Sequence, residues 1–177
     1  MRPIRILLFT AAVSSALLLW SPSASCQPSV KSLSDTPVYM GMVSLNVSPY
    51  LPLPSFSAVP SISVHTSHGA FFPRSGVYTG VSAELPYTLI GVAALSSHTR
   101  YFYPSSGDGR SRGYVGAELG VGVGWDDGGY AFFNGAAEIG LTVNFQRVSL
   151  DLGLRAQFMP PAVSDGFFLP LKIGIIF

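Results

Sequence analysis

Between Tyr114 and Phe177 four segments repeat one pattern, with apolar side chains at every second position and small or polar ones between them. A two-residue period puts alternate side chains on opposite faces of an extended chain, so these segments read as strands and not helices. In the first, Val115, Ala117, Leu119, Val121, Val123 and Trp125 share one face, and Tyr114, Gly116, Glu118, Gly120, Gly122 and Gly124 share the other. After the turn signal Asp126-Asp-Gly-Gly129, Ala131, Phe133, Ala137, Ile139, Leu141, Val143 and Phe145 oppose Asn134, Glu138, Thr142 and Asn144. A short turn near 144–147 leads to Val148, Leu150, Leu152, Leu154, Ala156 and Phe158, opposite Ser149, Asp151, Gly153, Arg155 and Gln157. A longer loop over 159–166 precedes Leu169, Leu171, Ile173, Ile175 and Phe177, opposite Lys172 and Gly174.

Strands of about ten residues with one apolar and one small or polar face suit a transmembrane β-barrel, which meets lipid outside and a lumen inside. A soluble β-sandwich also alternates, but two features count against it. The polar faces carry Glu118, Glu138, Asp151 and Arg155 among many glycines, which fits an enclosed lumen better than a hydrated sheet. The aromatics of the apolar faces also sort to strand ends. With Phe177 at one rim, Phe145 falls near it, and Trp125, Phe133 and Phe158 fall at the other. Aromatic girdles of this kind mark the two interfaces of a barrel in lipid.

Composition agrees. Charged residues are 11% of the 177, under half the roughly 25% of soluble domains. Mean hydropathy of +0.42, with 12 Phe, 8 Tyr and 2 Trp, excludes intrinsic disorder. The 19 Gly and 14 Pro interrupt the apolar content, so past residue 26 no run approaches the roughly 18 residues of a membrane helix. A formal charge of +1 offers no electrostatic footprint for nucleic acid.

Towards the N-terminus, Pro37–Val47 reads as a first strand and 48–60 as a Pro-rich loop. Ser61–Phe71 is a second strand, with Ile62, Val64 and Thr66 opposing His65 and Ser67. Phe72–Gly76 is a turn, Gly76–Leu85 a third strand, Leu89–Tyr103 a fourth, and Pro104–Arg112 a turn. Lipid offers no hydrogen bonds, so every strand must pair and the sheet must close. The roughly 150 residues of 27–177 hold eight strands of about ten residues and not sixteen. The expected fold is all-β: an eight-stranded, antiparallel, up-and-down transmembrane β-barrel over residues 27–177.

Residues 1–26 read as a cleaved secretory signal, with Arg2 and Arg5, an apolar run from Ile6 to Trp20, and Ser-Pro-Ser-Ala-Ser-Cys. The run is broken by Thr10, Ser14 and Ser15 and is too short for a spanning anchor. Cleavage after Cys26 removes the only cysteine and leaves a chain that needs no disulfide in an oxidising compartment. The alternative is a lipoprotein, with Ser-Ala-Ser-Cys as a degenerate lipobox and Cys26 acylated.

The closing Leu169-x-Leu-x-Ile-x-Ile-x-Phe177 resembles the C-terminal signature that bacterial outer-membrane barrels present to the barrel-assembly machinery. Tyr101-Phe-Tyr103, the Gly/Ser turn and Tyr114-Val-Gly-Ala-Glu-Leu-Gly120 resemble the fourth and fifth strands of small eight-stranded barrels, nearest the OmpW type and more distantly the OmpA type. The resemblance implies an integral protein of the bacterial outer membrane, in contact with its lipid. Its OmpW side implies a narrow channel for small or hydrophobic solutes, with no cofactor. The alternative expectation is a closed barrel whose loops meet surface ligands in adhesion or serve envelope structure.

With the apolar faces in lipid, the lumen receives Glu84, Glu118, Glu138, Asp151, Arg155 and Lys172, with Tyr78 and Tyr114 as further candidates. Isolated charge is costly away from water, so these groups must pair. One outcome is a plug, in which the acids pair with Arg155 and Lys172 and close an interior that side chains can fill. The other outcome rests on the glycine wall. Gly116, Gly120, Gly122 and Gly124 project nothing inward, leaving a cavity for a small molecule or room for bulky residues.

Catalysis is weighed against these two. His65-Thr-Ser67 puts an imidazole and a hydroxyl on one strand face, with Glu84 inward on the next, the parts of a hydrolase. The His-x-Ser arrangement faintly resembles that of outer-membrane lipid A deacylases. His and Ser two apart in a strand are common by chance, and His68 then faces outward, so no enzyme is expected. Three histidines and one cysteine show no spacing typical of a metal site, and no Gly-x-Gly run precedes a helix to cradle phosphate. The loop 48–60, with Tyr50, Leu51, Leu53 and Phe56, is apolar for an exposed connector and suits a partner, the outer leaflet or the barrel mouth.

Overall fold

The structure, a computed structural model, describes residues 36–48, 61–86, 91–104, 110–125, 129–145, 147–159 and 167–177, and the backbone of two short paired segments, Pro52–Leu53 and Phe56–Ser57. The signal segment with Cys26, and the rest of the loop 49–60, lie outside the described residues. Eight long strands carry the fold: β1 (Val38–Ser48), β2 (Ser61–Phe72), β3 (Val77–Pro86), β4 (Val92–Phe102), β5 (Ser111–Gly124), β6 (Tyr130–Phe145), β7 (Val148–Phe158) and β8 (Leu171–Ile176). The two-residue segment Phe167–Phe168 precedes β8 and pairs with the same neighbour, β7. Each strand is antiparallel to the next, and β8 returns to β1 through Met42↔Ile176, Leu45↔Ile173 and Val47↔Leu171. The sheet is therefore a closed eight-stranded barrel, and none of the eight strands has an open edge.

Strand limits differ from the sequence reading by no more than three residues. The largest shift that matters is at β5, which starts at Ser111 because Ser111, Arg112 and Gly113 find partners in Val143, Thr142 and Leu141 of the 16-residue β6. Arg112 thus lies in a strand and not in the preceding turn. Gly76 closes the β2–β3 turn at φ +70, in the left-handed region that costs glycine little. Its amide donates to Phe72 O at 2.9 Å, and its carbonyl accepts from the Phe102 amide of β4 at 2.8 Å.

The outer face is an apolar belt. Leu119 is 61% and Val121 63% exposed, and Leu95, Ile139, Leu154 and Ile173 stand out beside them. A continuous surface of this kind is unsuited to water and suited to hydrocarbon. Trp125, Phe133 and Phe158 stand out at the rim away from the chain ends, and Tyr101, Tyr103 and Phe145 at the other. Phe177 closes that second rim: it exchanges two backbone hydrogen bonds with Gly41 of β1 (2.8 and 2.9 Å), and its ring lies where a Gly41 side chain would stand.

The inner face is layered. At the rim near the chain ends Met40, Met42, Phe71, Tyr78, Phe102, Tyr114 and Ile176 form one buried apolar cluster. At the opposite rim Val92, Ala94, Phe132, Met159 and Phe168 form another. Between them every inward side chain that is buried and charged is gathered into one layer.

Candidate functional site

That layer is the site. Its acids are Glu84 (β3), Glu118 (β5), Glu138 (β6) and Asp151 (β7), and its bases are Arg100 (β4), Arg155 (β7) and Lys172 (β8). Arg155 grips Glu118 with both nitrogens, Nη1 to Oε1 at 2.6 Å and Nη2 to Oε2 at 3.0 Å, and Nη2 also reaches Glu84 Oε2 at 3.0 Å. Across the lumen, Arg100 donates to Glu138 through Nε and to Asp151 Oδ2 through Nη1 at 3.0 Å. Its guanidinium lies 4.3 Å over the Tyr114 ring, a cation–π contact that seats it against the apolar layer below. Lys172 Nζ bonds Glu138 Oε2 at 2.7 Å and lies 3.6 Å from Asp151 Oδ2.

Neutral side chains complete the acids. Glu84 accepts from Ser63 (2.5 Å), Asn46 (3.3 Å) and Gln157 (2.6 Å), and Glu118 accepts from Ser82 (3.0 Å). Two histidines join the halves. His98 of β4 places Nε2 2.9 Å from Glu138 Oε1 and 3.5 Å from Glu118 Oε1, and its Nδ1 meets Ser67 Oγ at 2.8 Å. His65 of β2 places Nε2 3.0 Å from Glu118 Oε1, without the alignment of a hydrogen bond. A chain of contacts therefore crosses the barrel from Glu84 to Lys172 and pairs every one of its charged groups, as buried charges require. Within it Arg100 Nη2, Arg155 Nε, Asp151 Oδ1 and His65 Nε2 have no hydrogen-bond partner.

Glu84, Glu118, Glu138, Asp151, Arg155 and Lys172 are buried and joined by ion pairs, and Tyr78 and Tyr114 lie in the apolar layer beside them. The glycines also face inward, but their wall is covered. A Cβ on Gly116 would meet Glu138 and Arg100, one on Gly120 the backbone of Leu95 and Ser96, one on Gly122 the Phe132 ring, and one on Gly124 the Tyr130 ring. The space the glycines leave is taken by side chains and, at Gly120, by backbone of adjacent strands, not by an open cleft.

The hydrolase arrangement does not assemble. His65 and Ser67 share the lumenal face, but His65 turns to Glu118 and Ser44, and Glu84 is held by Arg155, Ser63, Asn46 and Gln157. Ser67 instead meets His98 and the Tyr78 hydroxyl (2.6 Å), with no exposure at all. His68 does face outward, where Tyr39 and Thr66 bond its two ring nitrogens.

Sequence reasoning missed Arg100 and His98, both on β4, whose faces were not assigned. The signal lay at the end of the same strand. Tyr101 and Tyr103 are rim aromatics facing out, and counting back from them turns Arg100 and His98 inward.

Comparison with known proteins adds the fold. No protein-family model matches the chain, and no curated protein matches it significantly. Among solved structures it is similar to Neisserial surface protein A (NspA), at 14% identity and TM-score 0.57, over 78% of this chain and 94% of that one. It is also similar to the N-terminal β-barrel domain of Pseudomonas aeruginosa OprF, at 15% identity and TM-score 0.54, over 78% of this chain and 97% of that one. Identities this low carry fold and not activity. The chain has the fold of the small outer-membrane β-barrels.

Proposed function

We infer that this protein is a bacterial outer-membrane barrel closed to solutes, which holds its rim loops in place for adhesion or envelope structure. The observation that carries the reading is the layered lumen, with a cross-linked charge layer between two buried apolar clusters. An open pore for ions or sugars needs a hydrated path past groups like these. Here Arg100 and Arg155 each donate through two of their three nitrogens to carboxylates across the bore. The covered glycine wall supports the same reading and weighs against the narrow OmpW-like channel for small or hydrophobic solutes. The test is conductance of the refolded barrel in a planar bilayer. Silence over long recordings is the expected result, and discrete, reproducible conductance steps refute the closed barrel.

A further inference from the structure

We propose that the lumen contains a metal site, in which His65, His98 and Glu118 bind a first-row divalent cation such as Zn2+ and tie β2, β4 and β5 together. One ring nitrogen from each histidine and a Glu118 carboxylate oxygen lie within 4.8 Å of one another, and all three residues are buried. The separations measured to Glu118 Oε1 are 3.0 Å from His65 and 3.5 Å from His98. Tetrahedral bonds of about 2.0–2.2 Å hold neighbouring ligand atoms roughly 3.3–3.6 Å apart, so small shifts complete the geometry. Glu138 Oε1, 2.9 Å from His98 Nε2, is taken by Arg100 Nε, so the three named residues supply the protein ligands.

Three further features point to a cation. His65 Nε2 is fully buried and has no aligned hydrogen-bond partner, although a carboxylate oxygen faces it. Both rings are held from behind by serine hydroxyls at Nδ1, Ser67 at 2.8 Å for His98 and Ser44 at 3.4 Å for His65, which turns each Nε2 towards the acids. Such outer partners fix the tautomer and orientation of ligand histidines. The Arg100 Nε that now donates to His98 Nε2 at 3.1 Å would keep its bond to Glu138 when a metal takes that nitrogen. Finally, among the described residues the layer holds four carboxylates against three fixed cations, Arg100, Arg155 and Lys172, so it is short of positive charge where the histidines sit. Arg155 also touches Glu118 Oε1, but its second bond, to Oε2, remains when Oε1 is shared with a metal. The ligand set of two imidazoles and a carboxylate without sulfur suits Zn2+ or Co2+ and not the oxygen-only cage of Ca2+ or Mg2+. Because the site is sealed, the ion enters as the strands close.

The experiment is to refold the full barrel with Co2+ or Zn2+, strip loose ion with chelator, and measure retained metal and the Co2+ ligand-field spectrum. Electrophoretic heat-modifiability confirms folding of every sample. Stoichiometric retention with a tetrahedral Co2+ spectrum is expected, lost in His65→Gln and in His98→Gln and kept in His68→Ala, which alters only the outward histidine. Ser67→Ala should weaken binding about 10–100-fold by freeing the His98 ring. If the glutamine variants do not fold, X-ray absorption at the zinc edge of the parent decides, and a first shell without two imidazoles overturns the site. A folded parent that retains no metal also overturns it. Retention that survives both glutamine substitutions does the same.

Discussion

Replacing Arg155 with methionine keeps the chain length and removes the charge, so it isolates what the guanidinium does. Three charge-assisted bonds disappear, at 2.6 and 3.0 Å to Glu118 and 3.0 Å to Glu84. Removing one partner of a buried pair costs about 3–5 kcal/mol, because the stranded charge stays buried. Here the loss falls at the low end, about 3 kcal/mol, since Glu84 keeps Ser63, Asn46 and Gln157, and Glu118 keeps Ser82 and His65. With a urea slope of about 2 kcal/mol per molar, the unfolding midpoint should drop by about 1.5 M. Trp125, the only tryptophan beyond residue 26, sits at the rim and reports unfolding by fluorescence of the barrel refolded into vesicles. Glu118→Gln in the same background closes a double-mutant cycle, whose coupling should be about 1–3 kcal/mol because the second change neutralises the charge that the first strands. A single variant within about 0.5 kcal/mol of the parent, or strict additivity in the cycle, would refute the claim that this layer holds the barrel together.

The covered glycines and the outer belt can be tested the same way. Gly120→Ala would put a Cβ 2.1 Å from the Leu95 carbonyl and should cost about 1–3 kcal/mol, since backbone cannot step aside. Gly124→Ala meets only the outer part of the Tyr130 ring and should cost less than about 1 kcal/mol, so equal losses in urea titrations would contradict the packing described. Leu119→Arg, in the middle of the belt, should destabilise the vesicle-bound barrel by about 2–4 kcal/mol, and Val148→Arg at the rim by about 0–1 kcal/mol. A rim arginine as costly as the central one would argue against lipid on this face.

Strands β5 to β8 were legible because their outward positions are almost all apolar and their charged residues all face inward, so the two-residue period fixes both the strand and its orientation. On β4 the pattern inverts. Its outward positions include Ser97 and Thr99, and its inward positions include Val92, Ala94 and Phe102, so hydropathy alone does not say which face meets lipid. The outward hydroxyl is tolerated because Ser97 Oγ turns back to donate to the Leu119 carbonyl at 3.1 Å and so presents no free donor to the belt. On β2, Thr66 likewise bonds His68 on the outside. The apolar inward residues of β4 belong to the two layers that cap the lumen, a feature that a single strand cannot reveal. The charge layer was therefore readable where the outer face was apolar, and its missing members lie on β4, where it was not.

Charge supplies the phase that hydropathy could not. The sequence places four acids in the lumen, Glu84, Glu118, Glu138 and Asp151, against only Arg155 and Lys172. A space sealed from water does not hold two unmatched negative charges at tolerable cost. A further cation must therefore face inward. Of the basic residues left beyond the first segment, Lys31, Arg74, Arg110, Arg112 and Arg147 lie before the first strand, in turns or at a strand end, and Arg100 alone lies well inside a strand. Turning Arg100 inward fixes the phase of β4 and brings His98 with it, two residues away on the same face. The layer then still lacks one positive charge, and His98 and His65 are the groups that face the acids at that point.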